Sequence, residues 1–202
     1  MRLMLLILFF VFLAGCTTTS AGLSITTTTT NGALEQIPAE LLKPDGPGPF
    51  PAVVIMHDCS GLGPRSSGAP DRWAKELVTQ GYVVVIPDSF TTRGHGAGVC
   101  TDPSPSRTEV NPFRRVRDAY AALAYVRTLS YVDGSRVGLM GGSHGGMTTL
   151  ASMVAPESNK DRWRGKNVKG SPPPWRFIRV APHGWAAGML TCQAYISQSR
   201  RC

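Results

Sequence analysis

No apolar run in this chain is long enough to cross a bilayer, which takes about 20 residues; the longest, Leu3–Leu13, falls well short. No pairing of histidine and cysteine has the spacing of a zinc site, and no glycine loop fits a phosphate, so neither a metal nor a nucleotide cofactor is implied. No internal repeat is visible, which removes solenoid and propeller architectures. Histidine is scarce: of four, only His144 and His183 follow residue 143. Acidic residues are outnumbered 13 to 21 by lysine and arginine, and the net charge of +8 could suggest a nucleic-acid partner. Its distribution excludes one. Residues 17–154 hold 11 basic and 11 acidic side chains, whereas residues 155–202 hold nine basic residues against Glu157 and Asp161; Arg2 supplies the rest. The body is neutral, the tail alone is basic, and no aromatic-and-basic nucleic-acid motif occurs in the body.

What is present begins with an address. Arg2 is a minimal positive n-region, Leu3–Leu13 an apolar h-region, and Leu13-Ala14-Gly15-Cys16 closes it, so residues 1–15 read as a signal peptide. Leu-Ala-Gly-Cys resembles the lipobox of bacterial lipoproteins, in which the cysteine is lipidated and becomes the mature N-terminus. Thr17, rather than an aspartate, follows, and by the same resemblance the expected location is the outer membrane, facing the periplasm, with Cys16 holding the chain to the lipid. Residues 16–23 then form a tether. Asn31-Gly32 is a hairpin signal of type I′ between Ile25–Thr30 and Ala33–Leu42, which predicts a two-stranded entry to a sheet.

Val53–Met56, Tyr82–Ile86 and Val137–Met140 are short, mostly β-branched runs, apolar on both faces, as buried parallel strands are. Between them lie two helix patterns. Pro70 and Asp71 open one, and Gly81 ends it. Asn111 caps the next, Pro112 is its first residue, and Val116, Ala119, Tyr120, Leu123 and Val126 form its apolar stripe. Strands alternating with helices predict a doubly wound, mostly parallel α/β sheet over residues 24–155. Its ligand site belongs at the carboxyl ends of the strands, where the loops His57–Pro64 and Pro87–Ser106 emerge.

The third loop carries the chemistry. Gly141-Gly142-Ser143-His144-Gly145 is a G-x-S-x-G motif between the strand Val137–Met140 and a small-residue run, Met147–Val154, that reads as a helix. Strand, glycine-flanked serine, helix is the context of a nucleophile elbow, in which a strained turn projects the hydroxyl above the sheet. The bland alternative is a glycine-rich turn whose serine caps the helix. His144 adjoins Ser143, so its side chain should point away and is rejected as general base. His57 reads as a structural histidine at a strand end. Cys59 and Cys100 lie in neighbouring loops, and either a disulfide or two buried thiols fits them.

Gly-Pro-Phe-Pro-Ala-Val-Val-Ile-Met-His-Asp at 48–58, Gly-Tyr-Val-Val-Val-Ile-Pro-Asp-Ser-Phe at 81–90 and Gly-Leu-Met-Gly-Gly-Ser-His-Gly-Gly at 138–146 together resemble the dienelactone hydrolase family. The resemblance runs from about residue 24 to 155 and implies an α/β-hydrolase acting on a small-molecule ester, lactone or thioester, without a cofactor. It implies Ser143 as nucleophile and the Cys59 and His144 amides as oxyanion-hole donors. The name-giving enzymes use a cysteine nucleophile and have a glutamate where Asp58 stands; Asp58 is either an orienting carboxylate or a loop carboxylate accepting backbone bonds. They also hold a substrate carboxylate with an arginine after the Pro-Asp pair. Arg93 is the nearest equivalent, one residue too far from Asp88, and reads either as that clamp or as a solvated arginine.

A serine hydrolase of this kind needs an aspartate and then a histidine after the serine. Asp161 and His183 alone offer that order, and neither follows an apolar strand. Pro172-Pro173-Pro174 stands where a central strand should be. Read one nucleotide earlier, codons for Gly170–Pro182 permit Gly-Phe-Ala-Ala-Ala-Val-Ala-Leu-Tyr-Pro-Ser-Cys-Ala, a buried strand. The expectation is that 156–202 is a frameshifted reading and the hydrolase domain incomplete on its C-terminal side; a divergent basic disordered tail is the alternative. On that expectation the chain is an impaired hydrolase, or a non-catalytic lipid-anchored protein using the same fold for binding or scaffolding. The address makes its own prediction: the mature protein should start at lipidated Cys16 and sediment with membranes, and Cys16→Ala should release it, as fractionation and N-terminal mass spectrometry would show.

Overall fold

The structure, a computed structural model, describes residues 22–29 and 31–154. Cys16, Asp161, His183 and the expected frameshift therefore lie outside the described residues. Five strands and three helices follow in the order β1 (Leu23–Thr28), β2 (Leu34–Leu42), β3 (Phe50–Met56), α1 (Ala69–Thr79), β4 (Val83–Pro87), α2 (Pro112–Val126), β5 (Val132–Gly141) and α3 (His144–Val154). They form one sheet in the order β1-β2-β4-β3-β5.

The three apolar runs are its parallel centre. β4 pairs with β3 from Ala52↔Val83 to Val54↔Val85, and β3 with β5 from Ala52↔Val137 to Met56↔Gly141. β1 and β2 enter as an antiparallel hairpin, and β2 runs antiparallel to β4, so the sheet is mixed. The hairpin turn is longer than the Asn-Gly pair implies. Pairing stops at Thr28↔Leu34, and the Asn31 side chain accepts from the Thr29 hydroxyl and the Ala33 amide, holding a wider loop.

Apolarity on both strand faces is used on both. On one side, Val54, Met56, Val83 and Val85 pack against the α2 stripe of Val116, Ala119, Tyr120, Leu123 and Val126, together with Ala151 of α3. On the other, Val53, Ile55, Val84 and Ile86 cover Ala74 and Leu77 of α1. Asn111 caps α2 as its sequence position predicts, with Oδ1 accepting from the Phe113 and Arg114 amides at 3.0 and 3.1 Å. α1 instead starts from left-handed Gly68, with no side-chain cap. α3 begins at His144, three residues before the small-residue run, because the elbow passes straight into the helix.

One polar cluster ties the hairpin to this core. Arg93 lies in a 3-10 turn after β4 and is largely buried. Its guanidinium donates to both oxygens of Glu35 on β2 and, at 2.7 and 2.9 Å, to those of fully buried Asp118 on α2. Thr27 of β1 donates to Asp118 as well, at 3.1 Å. Removing Asp118 takes two bonds from the Arg93 guanidinium, which keeps Glu35, and leaves the buried Thr27 hydroxyl without its acceptor. Asp118→Ala should therefore cost about 3 kcal/mol, read as a lower urea midpoint at unchanged slope.

Candidate active site

The carboxyl ends of β3, β4 and β5 meet around Ser143. Its φ is 50°, and it is the one non-glycine residue with positive φ among those described. That left-handed conformation costs about 1 kcal/mol or more and persists only where surrounding packing imposes it. Here the packing is visible. A Cβ on Gly145 would lie 1.9 Å from the Met56 carbonyl oxygen and 2.7 Å from that of His57; one on Gly141 would lie 2.4 Å from Gly145 backbone. Gly142 has nothing within 4 Å. The two glycines that define G-x-S-x-G are thus the two without room for a side chain. With α3 seated on β3 this closely, the chain between must turn sharply, and the Ser143 side chain is left exposed.

The loop after β3 is fixed by its own polar groups and by a disulfide. Asp58 Oδ1 accepts from the Ser60 amide at 2.8 Å and from the Ser60 hydroxyl, and Oδ2 accepts from Ser67 Oγ at 2.5 Å. Desolvation pushes the Asp58 carboxyl up, but these bonds and the Arg115 charge outweigh it, and its pKa lies below the ordinary value. The carboxylate is spent on its loop. Cys59 is bonded to Cys100, and its carbonyl accepts from the Val99 amide at 2.7 Å. Among the described residues the Cys59 and His144 amides donate to no other group. Cys59 lies in the loop after β3, and His144 opens α3.

Each histidine of the region is engaged. His57 is fully buried; its Nδ1 lies 2.9 Å from the Asp58 carbonyl, and Nε2 accepts from the Ser89 amide at 3.2 Å. Desolvation, then the Arg115 charge, holds it well below its usual pKa, so it is a neutral strut. His95 faces Asp102 and the Ser106 carbonyl. His144 Nδ1 lies 2.7 Å from Arg115 Nη1, and desolvation with that cation lowers its pKa to about 4. The lone pair a base would need is already taken.

Arg93 corrects both readings offered for it. It is neither solvated nor free to clamp a substrate, because Glu35 and Asp118 saturate its guanidinium. Arg115, by contrast, was missed. It stands in Arg114-Arg115-Val116-Arg117, where charge alone suggests a solvated face. The available signal was its helical spacing from Asp118, Ala119 and Ala122, all of which are buried with it.

A parallel-centred sheet with helices on both faces and a strained serine between strand and helix defines a protein of the α/β-hydrolase type. Residues 37–161 match the model of the dienelactone hydrolase family, and the chain belongs to that family. It is similar to the uncharacterized Escherichia coli K12 protein YcjY, with 34% identity over 92 residues, 46% of this chain and 27% of that one. It is also similar to a Synechocystis protein provisionally named carboxymethylenebutenolidase, 29% identical over 132 residues, 60% of this chain and 50% of the other. The chain thus spans about a quarter and a half of these relatives. A solved Klebsiella pneumoniae structure, provisionally named dienelactone hydrolase, shares the fold: TM-score 0.50 at 19% identity, covering 66% of this chain and 56% of that one.

The glycine contacts separate two neighbours in sequence. Gly142→Ala should be nearly neutral. Gly145→Ala must push α3 off β3 and should cost about 3 kcal/mol, since the obstruction is backbone; chemical denaturation of both variants measures the difference.

Proposed function

We propose that the protein is a serine hydrolase that cleaves an ester, lactone or thioester through an acyl-enzyme on Ser143. The left-handed, exposed Ser143 between β5 and α3 supports this reading above all. Ser143 Oγ attacks the carbonyl carbon and loses its proton to a base. The carbonyl oxygen takes up the negative charge, and the Cys59 and His144 amides are its donors in this reading. Collapse expels the alcohol or thiol, and water then releases the acid. Because the nucleophile is serine and not cysteine, and Asp58 replaces a glutamate, dienelactone itself is not the expected substrate.

His57, His95 and His144 are all committed, so the base for Ser143 comes from none of them. We therefore expect the 202-residue chain to be a slow enzyme, its full triad returning only with the restored reading frame. Export as a lipoprotein through Cys16 belongs to the same reading. The Cys59–Cys100 disulfide supports it, since such bonds persist in oxidising compartments.

A fluorophosphonate tests the chemistry directly. It should form an adduct at Ser143, located by mass spectrometry and absent in Ser143→Ala. Labelling should be slow in this chain and about 10²–10⁴-fold faster once a general base is restored. No Ser143 adduct in either form would favour a non-catalytic binding or scaffolding protein on this fold.

A further inference from the structure

Arg115 heads the fully buried side chains by volume, yet among the described residues it makes no ion pair. Its Nη2 donates to the His57 carbonyl at 2.9 Å and its Nη1 faces His144 Nδ1 at 2.7 Å. The guanidinium carbon lies 4.9 Å from the centre of the Phe90 ring, and Nε has no partner among the described residues. Burying a guanidinium against neutral groups is costly when no carboxylate touches it. Desolvation lowers its pKa to about 9, which leaves it charged at neutral pH; Asp118, Asp88 and Asp58 act on it only through space.

The two acceptors are informative. His57 follows β3 and precedes Cys59 by two residues, and His144 is the residue after Ser143. One cation therefore holds the His57 carbonyl, two residues before the Cys59 amide, and the side chain of His144, which bears the second amide. Arginine has no lone pair to offer, so His144 Nδ1 must be the acceptor in this contact, and the ring proton must sit on Nε2. Besides Arg115 from α2, the charges acting on His144 are Arg107 from the 3-10 turn before α2 and Asp58 from the loop after β3. Neutral His57 lies nearby, and the Phe90 ring meets His144 edge-on at 5.7 Å.

Resting on the reading of Ser143 as nucleophile, we infer that Arg115 is a positioning residue of this site: it joins the two segments bearing the Cys59 and His144 amides and locks His144 as the Nε2–H tautomer. So locked, the imidazole beside the nucleophile can donate a hydrogen bond but cannot accept the serine proton.

The test uses imidazole ¹⁵N NMR of the full chain, with His144→Gln to assign the signals, and fluorophosphonate labelling alongside. In the wild type, His144 should show a protonated Nε2 and a bare Nδ1, with no titration above pH 5. Arg115→Met should mix the tautomers, move His144 titration up by a unit or more and slow Ser143 labelling at least about tenfold. Arg115→Lys, which keeps the charge, should recover most of the labelling rate. A wild-type His144 protonated at Nδ1, or titrating near 6.5, overturns the inference; so does a folded Arg115→Met that labels at the wild-type rate. If no form labels at Ser143, the nucleophile reading fails, and the His144 spectra still decide the tautomer lock. If Arg115→Met does not fold, the wild-type and Arg115→Lys spectra decide it.

Discussion

Everything at this site follows from how closely α3 approaches β3. Helix and strand backbones touch at Gly145, against the Met56 and His57 carbonyls, at a separation that admits no Cβ. With β5 fixed beside β3 by parallel pairing and α3 fixed on top of β3, the chain has too few residues to connect them gradually. The strain falls on Ser143, whose left-handed φ is the one place where the turn closes.

Around that contact the fold spends its buried polar groups on rigidity. Asp58 stiffens its own loop, the disulfide pins it to the segment ending at Cys100, and His57 bridges that loop to the Ser89 amide at the end of β4. Arg93, Asp118, Glu35 and Thr27 couple the entry hairpin to α2. Arg115, on the same helix as Asp118, reaches the elbow. α2 therefore mechanically connects the far edge of the sheet to the Ser143 turn. A site so braced keeps its geometry without reorganising, which is the physical content of preorganisation. The same bracing engages His57, with the Ser89 amide, and His144, with Arg115.

Much of the architecture was legible because local rules and tertiary packing agree. The β-branched runs became the parallel strands, Asn111-Pro112 became a capped helix start, and the α2 stripe became core, since each residue type had one low-energy place to go. Legibility failed where partners are distant in sequence. Arg93 finds Glu35 58 residues away and Asp118 25 away, which no spacing rule anticipates. Arg115 looked like its neighbours Arg114 and Arg117 until the helix was set on the sheet. The Asn-Gly hairpin was visible, but its loop length was not, because side-chain bonds to Asn31 compete with the two-residue turn.

The sequence by itself determined the layers, the placement of the site at the strand ends, and the serine between two obligatory glycines. Those depend on periodicity and on the steric freedom of single residues, which travel with the chain. Tertiary structure alone decided the roles of the charged and titratable side chains. Whether an arginine is solvated, clamps a ligand or braces an elbow depends on which acceptors other elements bring to it. Whether a histidine can accept a proton depends on whether its lone pair is already taken. Those are properties of the assembled surroundings and of the low dielectric they create, and no residue carries them alone.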